Sequence, residues 1–207
     1  MRTCVYVDGF NLFHGALRGT PYKWLDLGAL FRTILESHHE IQRIKYFTAR
    51  LRARPHDPSQ PQRQDIYFNA LKHHCPHVEF FFGTFLTHTV RSRLANPIRG
   101  HRTVDVIKTE EKGSDVNLAV HLLNDAWLDA YDCAVVVTND SDIMEAMRLV
   151  KSQTSKMIGL ITPGDRRPSR QLKAHADFGR WIRPKALANS QLPSPVPGTN
   201  FRKPDSW

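Results

Sequence analysis

"VVVTNDSD", residues 135–142, joins three β-branched residues to a polar run that holds two aspartates one residue apart. A β-branched run bounded by turn-forming residues reads as a buried strand, and it extends over "CAVVVT" at 133–138. The next segment, "SDIMEAMRLVKS" (141–152), spaces its apolar residues three and four apart, so the strand leads into an amphipathic helix. The same pairing recurs along the chain. Apolar runs at 4–7, 43–49, 78–85, 103–109, 157–161 and 178–182 read as strands, and 25–35, 63–74, 114–130 and 169–176 as helices. Alternation of this kind predicts an α/β fold with a mostly parallel central sheet and helices on both faces.

A chain of 207 residues suits one domain with a substantial core. We assign residues 1–185 to that domain and 186–207 to a disordered tail, because "LPSPVPGTNFRKPDSW" is rich in Pro and Ser with few anchoring apolar groups. Cys4, Cys75 and Cys133 are widely spaced and odd in number, which excludes a zinc knuckle or a disulfide framework. The N-terminus, "TCVYVDGFN", is too short and polar for a signal sequence, and no stretch approaches the roughly 18 apolar residues of a spanning helix. A cytoplasmic protein without membrane contact is the expectation.

Lys and Arg outnumber Asp and Glu by 29 to 20, a net charge of +9 that favours a polyanionic partner. The excess is clustered. "RIKYFTARLRAR" (43–54) carries five basic residues and "VRSRLANPIRGHR" (90–102) four, neither with an acid. Arg50 and Arg52 in the first and Arg91 and Arg93 in the second are candidate phosphate contacts; a merely soluble basic surface is the other reading.

Against that background the carboxylates at strand ends stand out. Ligands of an open parallel sheet bind beyond the carboxyl ends of its strands. Asp8 ends the first strand, Asp140 and Asp142 follow the strand at 133–138, and Asp115 opens the helix at 114–130, so four acids fall on one rim. Each alone has an ordinary role: Asp115 and Asp142 as helix caps, Asp8 in a turn beside Gly9. Together they repel one another unless a cation or proton intervenes. Oxygen ligands without Cys or His suit a hard ion such as Mg²⁺.

"VYVDGFNLFHG", "EEKGSDVNLAVHLL" and "YDCAVVVTNDSDIMEAMRLVK" resemble, in order and separation, the three main motifs of NYN-domain proteins, relatives of the PIN-type nucleases, over residues 3–182. The resemblance implies a PIN-like three-layer α/β fold and a ribonuclease using Mg²⁺ or Mn²⁺. Asp8, Asn11, Asp115, Asp140 and Asp142 match the family's catalytic positions, the four aspartates as metal ligands. Lys112 and Ser141 lie in matching motifs and could touch phosphate, as could Asn139, which stands where many relatives have Gly. Asn11 has a second reading, as a cap for a helix starting at Leu12, with membership of the site favoured. His121 occupies a position where many relatives have another Asp, and its role stays open between packing and catalysis.

The leading expectation is hydrolysis of RNA, single-stranded by preference. The alternatives are an RNA-binding or regulatory protein that does not cut, and a phosphatase or Toprim-type enzyme. The last two are disfavoured because a phosphatase of the haloacid-dehalogenase type places its Asp pair after the first strand, where Asp8 stands alone before Gly9, and the Toprim pattern begins with Glu. The sequence does not specify an oligomeric state.

Overall fold

β1 (Arg2–Asp8) is the most enclosed segment of the chain, buried from Thr3 to Asp8. It is central in a seven-stranded sheet of order β4-β3-β2-β1-β5-β6-β7. The computed structural model describes residues 1–98 and 100–207, and of His101 the backbone only; Arg99, one of the basic residues of 90–102, lies outside the described residues.

β1 runs parallel to β2 (Glu40–Ala49) on one side and β5 (Cys133–Val137) on the other, with Val5 opposite Ile44 and Val135. β6 (Met157–Thr162) and β7 (Phe178–Trp181) continue the parallel sheet beyond β5. β3 (Val78–Ile98) serves two partners: Val78–Gly83 pairs parallel with β2, and from Thr84 onward it pairs antiparallel with β4 (His101–Lys112). Residues 90–98 and Arg102 of the basic run lie in the outer part of a long two-stranded ribbon. Strand alternation was interrupted by its arginines, so its sequence lacked an apolar face to count.

Alternate residues of each strand enter opposite cores. Val5, Val7, Val135, Val137 and Ile161 join a cluster under α1 (Gly9–Leu12), α2 (Leu27–Ile34), α3 (Gln60–His74) and α7 (Pro184–Asn189). Cys4, Tyr6, Val136, Ile158 and Leu160 pack under α4 (Ser114–Trp127), α5 (Met144–Gln153) and α6 (Arg170–Lys173). Three layers result, as the resemblance implied. Among the described residues no helix is long and apolar enough to cross a membrane.

The disordered tail from residue 186 is corrected. Leu187, Leu192 and Val196 are buried in the first core, and Phe201 and Trp207 pack against it. Leu192 N–H donates to the Trp24 carbonyl at 2.8 Å, and the Trp24 indole donates to the Pro193 carbonyl at 3.2 Å. Trp207 meets Trp24 and Tyr67 edge-on. These anchors sit singly between prolines, at neither strand nor helix spacing, so their composition reads as disorder although each packs into or against the first core. Leu192→Ala is expected to cost about 2–4 kcal/mol, measured as a lowered midpoint in urea unfolding; a tail that is dispensable would leave the midpoint unchanged.

Candidate functional site

Asp8 is the last residue of β1 and also the cap of α1, accepting the Asn11 N–H at 2.9 Å. Gly9 is required at the junction: a Cβ there would stand 2.8 Å from the Phe47 carbonyl and 2.6 Å from the Tyr46 ring, so α1 packs onto β2 only without a side chain. The second Asp8 oxygen accepts the Thr138 hydroxyl at 2.8 Å, and the same hydroxyl oxygen accepts the Asp140 N–H at 3.1 Å. Burial pushes the Asp8 carboxyl upward, and the Asn11 N–H and Thr138 hydroxyl resist that rise.

Asn11 does not cap a helix, since the cap is Asp8 one turn earlier. Its side-chain oxygen accepts the Asn139 N–H at 3.1 Å, and the Asn139 side chain in turn holds Ser169 N–H at 2.7 Å and the Arg167 carbonyl at 3.1 Å. Two asparagines thus lace the loops after β1, β5 and β6 together. Asp140 caps the turn Ser141–Ile143 by accepting the Asp142 N–H at 3.0 Å, the role the sequence offered to Asp142. Asp142 itself is exposed.

Asp115 arrives by another route. Gly113, at φ +102°, turns the chain from β4 into α4, and the Glu111 carboxylate caps the helix by accepting Ser114 N–H at 3.1 Å and the Ser114 hydroxyl at 2.7 Å. Half-burial, then Asp8, Asp140, Glu111 and Asp142 in that order, push the Asp115 carboxyl up to about 6. The carboxylates therefore share one electrostatic neighbourhood. Among the described residues no three His, Cys, Asp or Glu side chains already close on a common point. The donor set fits a hard divalent ion bound through one or two carboxylates with water completing the shell, the mode Mg²⁺ adopts, rather than a dedicated protein cage.

A cleft of about 360 Å³ opens beside the rim, with Phe10, Asn11, His14, Asn139, Asp140 and Arg166 among its walls. Burial, then Arg18 and Arg54, lower the His14 pKa, while Asp8 opposes them. Arg166 lies on the cleft wall, and Arg18 and Arg54 stand near enough to His14 to lower its pKa. The sequence reading named none of the three, although Arg54 closes the basic run 43–54. The candidates it did name make other contacts. Arg50 pairs with Asp65 and stacks 4.4 Å over the Phe82 ring. Arg52 donates to the Phe85 carbonyl, Arg91 donates to the Thr103 hydroxyl, and Arg93 is exposed on the ribbon. Lys112 pairs with Glu110 at 3.3 Å, and Ser141 lies on the cleft wall.

His121 is separate from the acids. It stacks on Phe81 at 4.1 Å and lies 3.4 Å from Lys45 Nζ, and burial followed by Lys45 lowers its pKa. Lys45 is buried and pairs with Asp125 at 2.6 Å, and Asp125 also accepts the Tyr6 hydroxyl at 2.6 Å. This network clamps α4 to β1 and β2. Asp125→Ala leaves the buried Lys45 unpaired and is expected to cost about 3–5 kcal/mol in urea unfolding, much of it recovered in Lys45→Met/Asp125→Leu.

Comparison with known proteins places these features. A family model described as the NYN domain matches residues 2–180. The chain is 35% identical to the 6-hydroxy-3-succinoylpyridine 3-monooxygenase HspA of Pseudomonas putida, over all of this chain and 75% of that protein. A protein of unknown function from Vibrio parahaemolyticus has the same fold, with a TM-score of 0.54 at 17% identity, covering 92% of this chain and 96% of that one.

Asp115 carries a stability signature. The folded state holds its proton more tightly than the unfolded chain, so its contribution favours folding below about pH 4 and is lost as pH rises through about 6. Asp115→Asn is therefore expected to raise the metal-free Tm at pH 7.5 by about 2–4 °C, for about 1 kcal/mol after solvent screening. The gain disappears at pH 4. An equal gain at both pH values would show that the carboxylates do not interact.

Proposed function

Because this chain belongs to the NYN-domain family, we propose that it is a PIN-like phosphodiesterase that hydrolyses RNA at the rim of Asp8, Asp115, Asp140 and Asp142. The observation that carries the reading is the convergence of Asp8, Asp140 and Asp115, from two strand ends and a helix start, where burial first and then the neighbouring acids push the Asp115 carboxyl up to about 6. Carboxylates gathered at that electrostatic cost are suited to a cation. Asp8, Asp115 and Asp140 would hold Mg²⁺ or Mn²⁺, which supplies charge neutralisation at the phosphate and a more acidic water.

The chain's own groups do the positioning. Thr138 and the Asn11 N–H hold Asp8 in one orientation, and the Asn11–Asn139 link keeps the loop bearing Asp140 against it. Arg166 and His14 face the cleft where a phosphate would lie, and Phe10 offers an apolar edge to a base. Such contacts fix a backbone without reading sequence. Hydrolysis joins a water oxygen to phosphorus and breaks the bond to the leaving oxygen. The proton that the water loses ends on the leaving oxygen.

The test is cleavage of end-labelled single-stranded RNA with Mg²⁺, Mn²⁺ or EDTA, beside folded Asp115→Asn and Asp140→Asn. Loss of cutting by at least about 100-fold in both variants and in EDTA is expected, with binding retained. Binding without cutting under any metal would instead favour a regulatory RNA-binding protein.

One observation favours a second reading. The relative at 35% identity is named for a hydroxylation of 6-hydroxy-3-succinoylpyridine, and the cleft between Phe10, His14 and Arg166 has room for a single ring carrying an acid. Calorimetric titration with that pyridine decides it: saturable binding that Arg166→Ala abolishes supports this reading, and no heat of binding removes it.

A further inference from the structure

α4 buries Leu118, Leu122, Asp125 and Ala126 against the sheet. Its opposite side is unusual for a surface helix. Val116, Val120 and Trp127 are 64%, 57% and 62% exposed, with Leu123 half-buried between them. Their spacing of four, three and four residues is that of a two-helix seam, in which alternate apolar positions of one helix fill the gaps of another. Leu128 flanks the seam and is also exposed. Single exposed apolar residues are common, whereas a row ending in a tryptophan marks a contact surface.

Charge identifies the occupant. From Val116 to Leu128 the only charged residue is Asp125, which is buried in its pair with Lys45, and the flanking positions are Asn117 and Asn124. The neighbouring α5 by contrast presents Glu145, Arg148 and Lys151. Two copies of a chain with net charge +9 repel over most of their surface. The α4 face is a place where they meet without that penalty, and it offers a polyanion no cation.

We infer that the outer face of α4 is a homodimer interface, two α4 helices packing antiparallel about a two-fold axis. Val120 of one copy then lies against Leu123 of the other, and Trp127 against Val116. Self-complementarity follows from the symmetry of the seam about its middle. Helices about 21 Å long with one tryptophan at each end make a small interface, near the lower limit for stable association. The dimer is accordingly concentration-dependent.

The experiment is light scattering coupled to size exclusion over a concentration series, with circular-dichroism melts of each protein. The wild type should pass from one to two copies. Val120→Glu and Trp127→Glu should require at least tenfold more protein to associate while melting as the wild type does, and Arg148→Glu on α5 should change nothing. As a check independent of these melts, Val116→Cys and Trp127→Cys proteins mixed and oxidised should give the mixed disulfide-linked dimer, since the native cysteines are buried. A wild type that stays single at all concentrations, a dimer that survives both Glu substitutions, or the absence of the mixed cross-link overturns the inference. So does a single-copy wild type whose RNA binding the Glu variants abolish, which would make the face a nucleic-acid surface.

Discussion

The Thr138 hydroxyl, 2.8 Å from one Asp8 oxygen, ties the end of β1 to the end of β5, and the geometry of the acid rim follows from that link. β1 is where the sheet reverses its direction of growth: β2, β3 and β4 lie to one side and β5, β6 and β7 to the other. The connections leaving the two central strands diverge to opposite faces and open a crevice at their carboxyl ends, the usual ligand position of such sheets. A carboxylate buried at that point needs donors to remain ionised. Thr138 supplies one to Asp8 and, through its lone pair, fixes the Asp140 backbone, so a single hydroxyl orients two acids.

The remaining acid depends on a different support. Asp115 is placed by the start of α4, and α4 is held by a buried ion pair to the interior strand β2. The Lys45–Asp125–Tyr6 network contributes little net stability against an apolar substitute, but it fixes the register of α4 on β1 and β2. Floor and wall of the rim are thus held by separate interactions, one at the strand ends and one beneath the helix.

Much of this was legible in the sequence, for identifiable reasons. Strand-helix alternation gave the sheet and its layers because the apolar periods are clean, and the strand-end rule gathered Asp8, Asp115 and Asp140. What escaped follows from pattern counting. The ribbon was cut short because Arg91 and Arg93 break its apolar alternation, and the closing segment was lost because Leu192, Val196 and Trp207 anchor one at a time. Arg18 and Arg166 were missed since they come from separate loops outside the basic runs, and proximity in space leaves no run in sequence. His121 could not be assigned without the fold, because Lys45, which accounts for its environment, lies 76 residues away.

The pairing of Asp8 with Thr138 spans 130 residues. β3 and β4 can find each other as local neighbours, whereas β1 must wait for the longest closure among the sheet's central pairs. A chain still being synthesised, or cut short before β5, contains Asp8 without its donor and has no Asp140 at all. No fragment ending before β5 carries the rim, so whatever chemistry it performs is withheld until most of the chain has been made and folded.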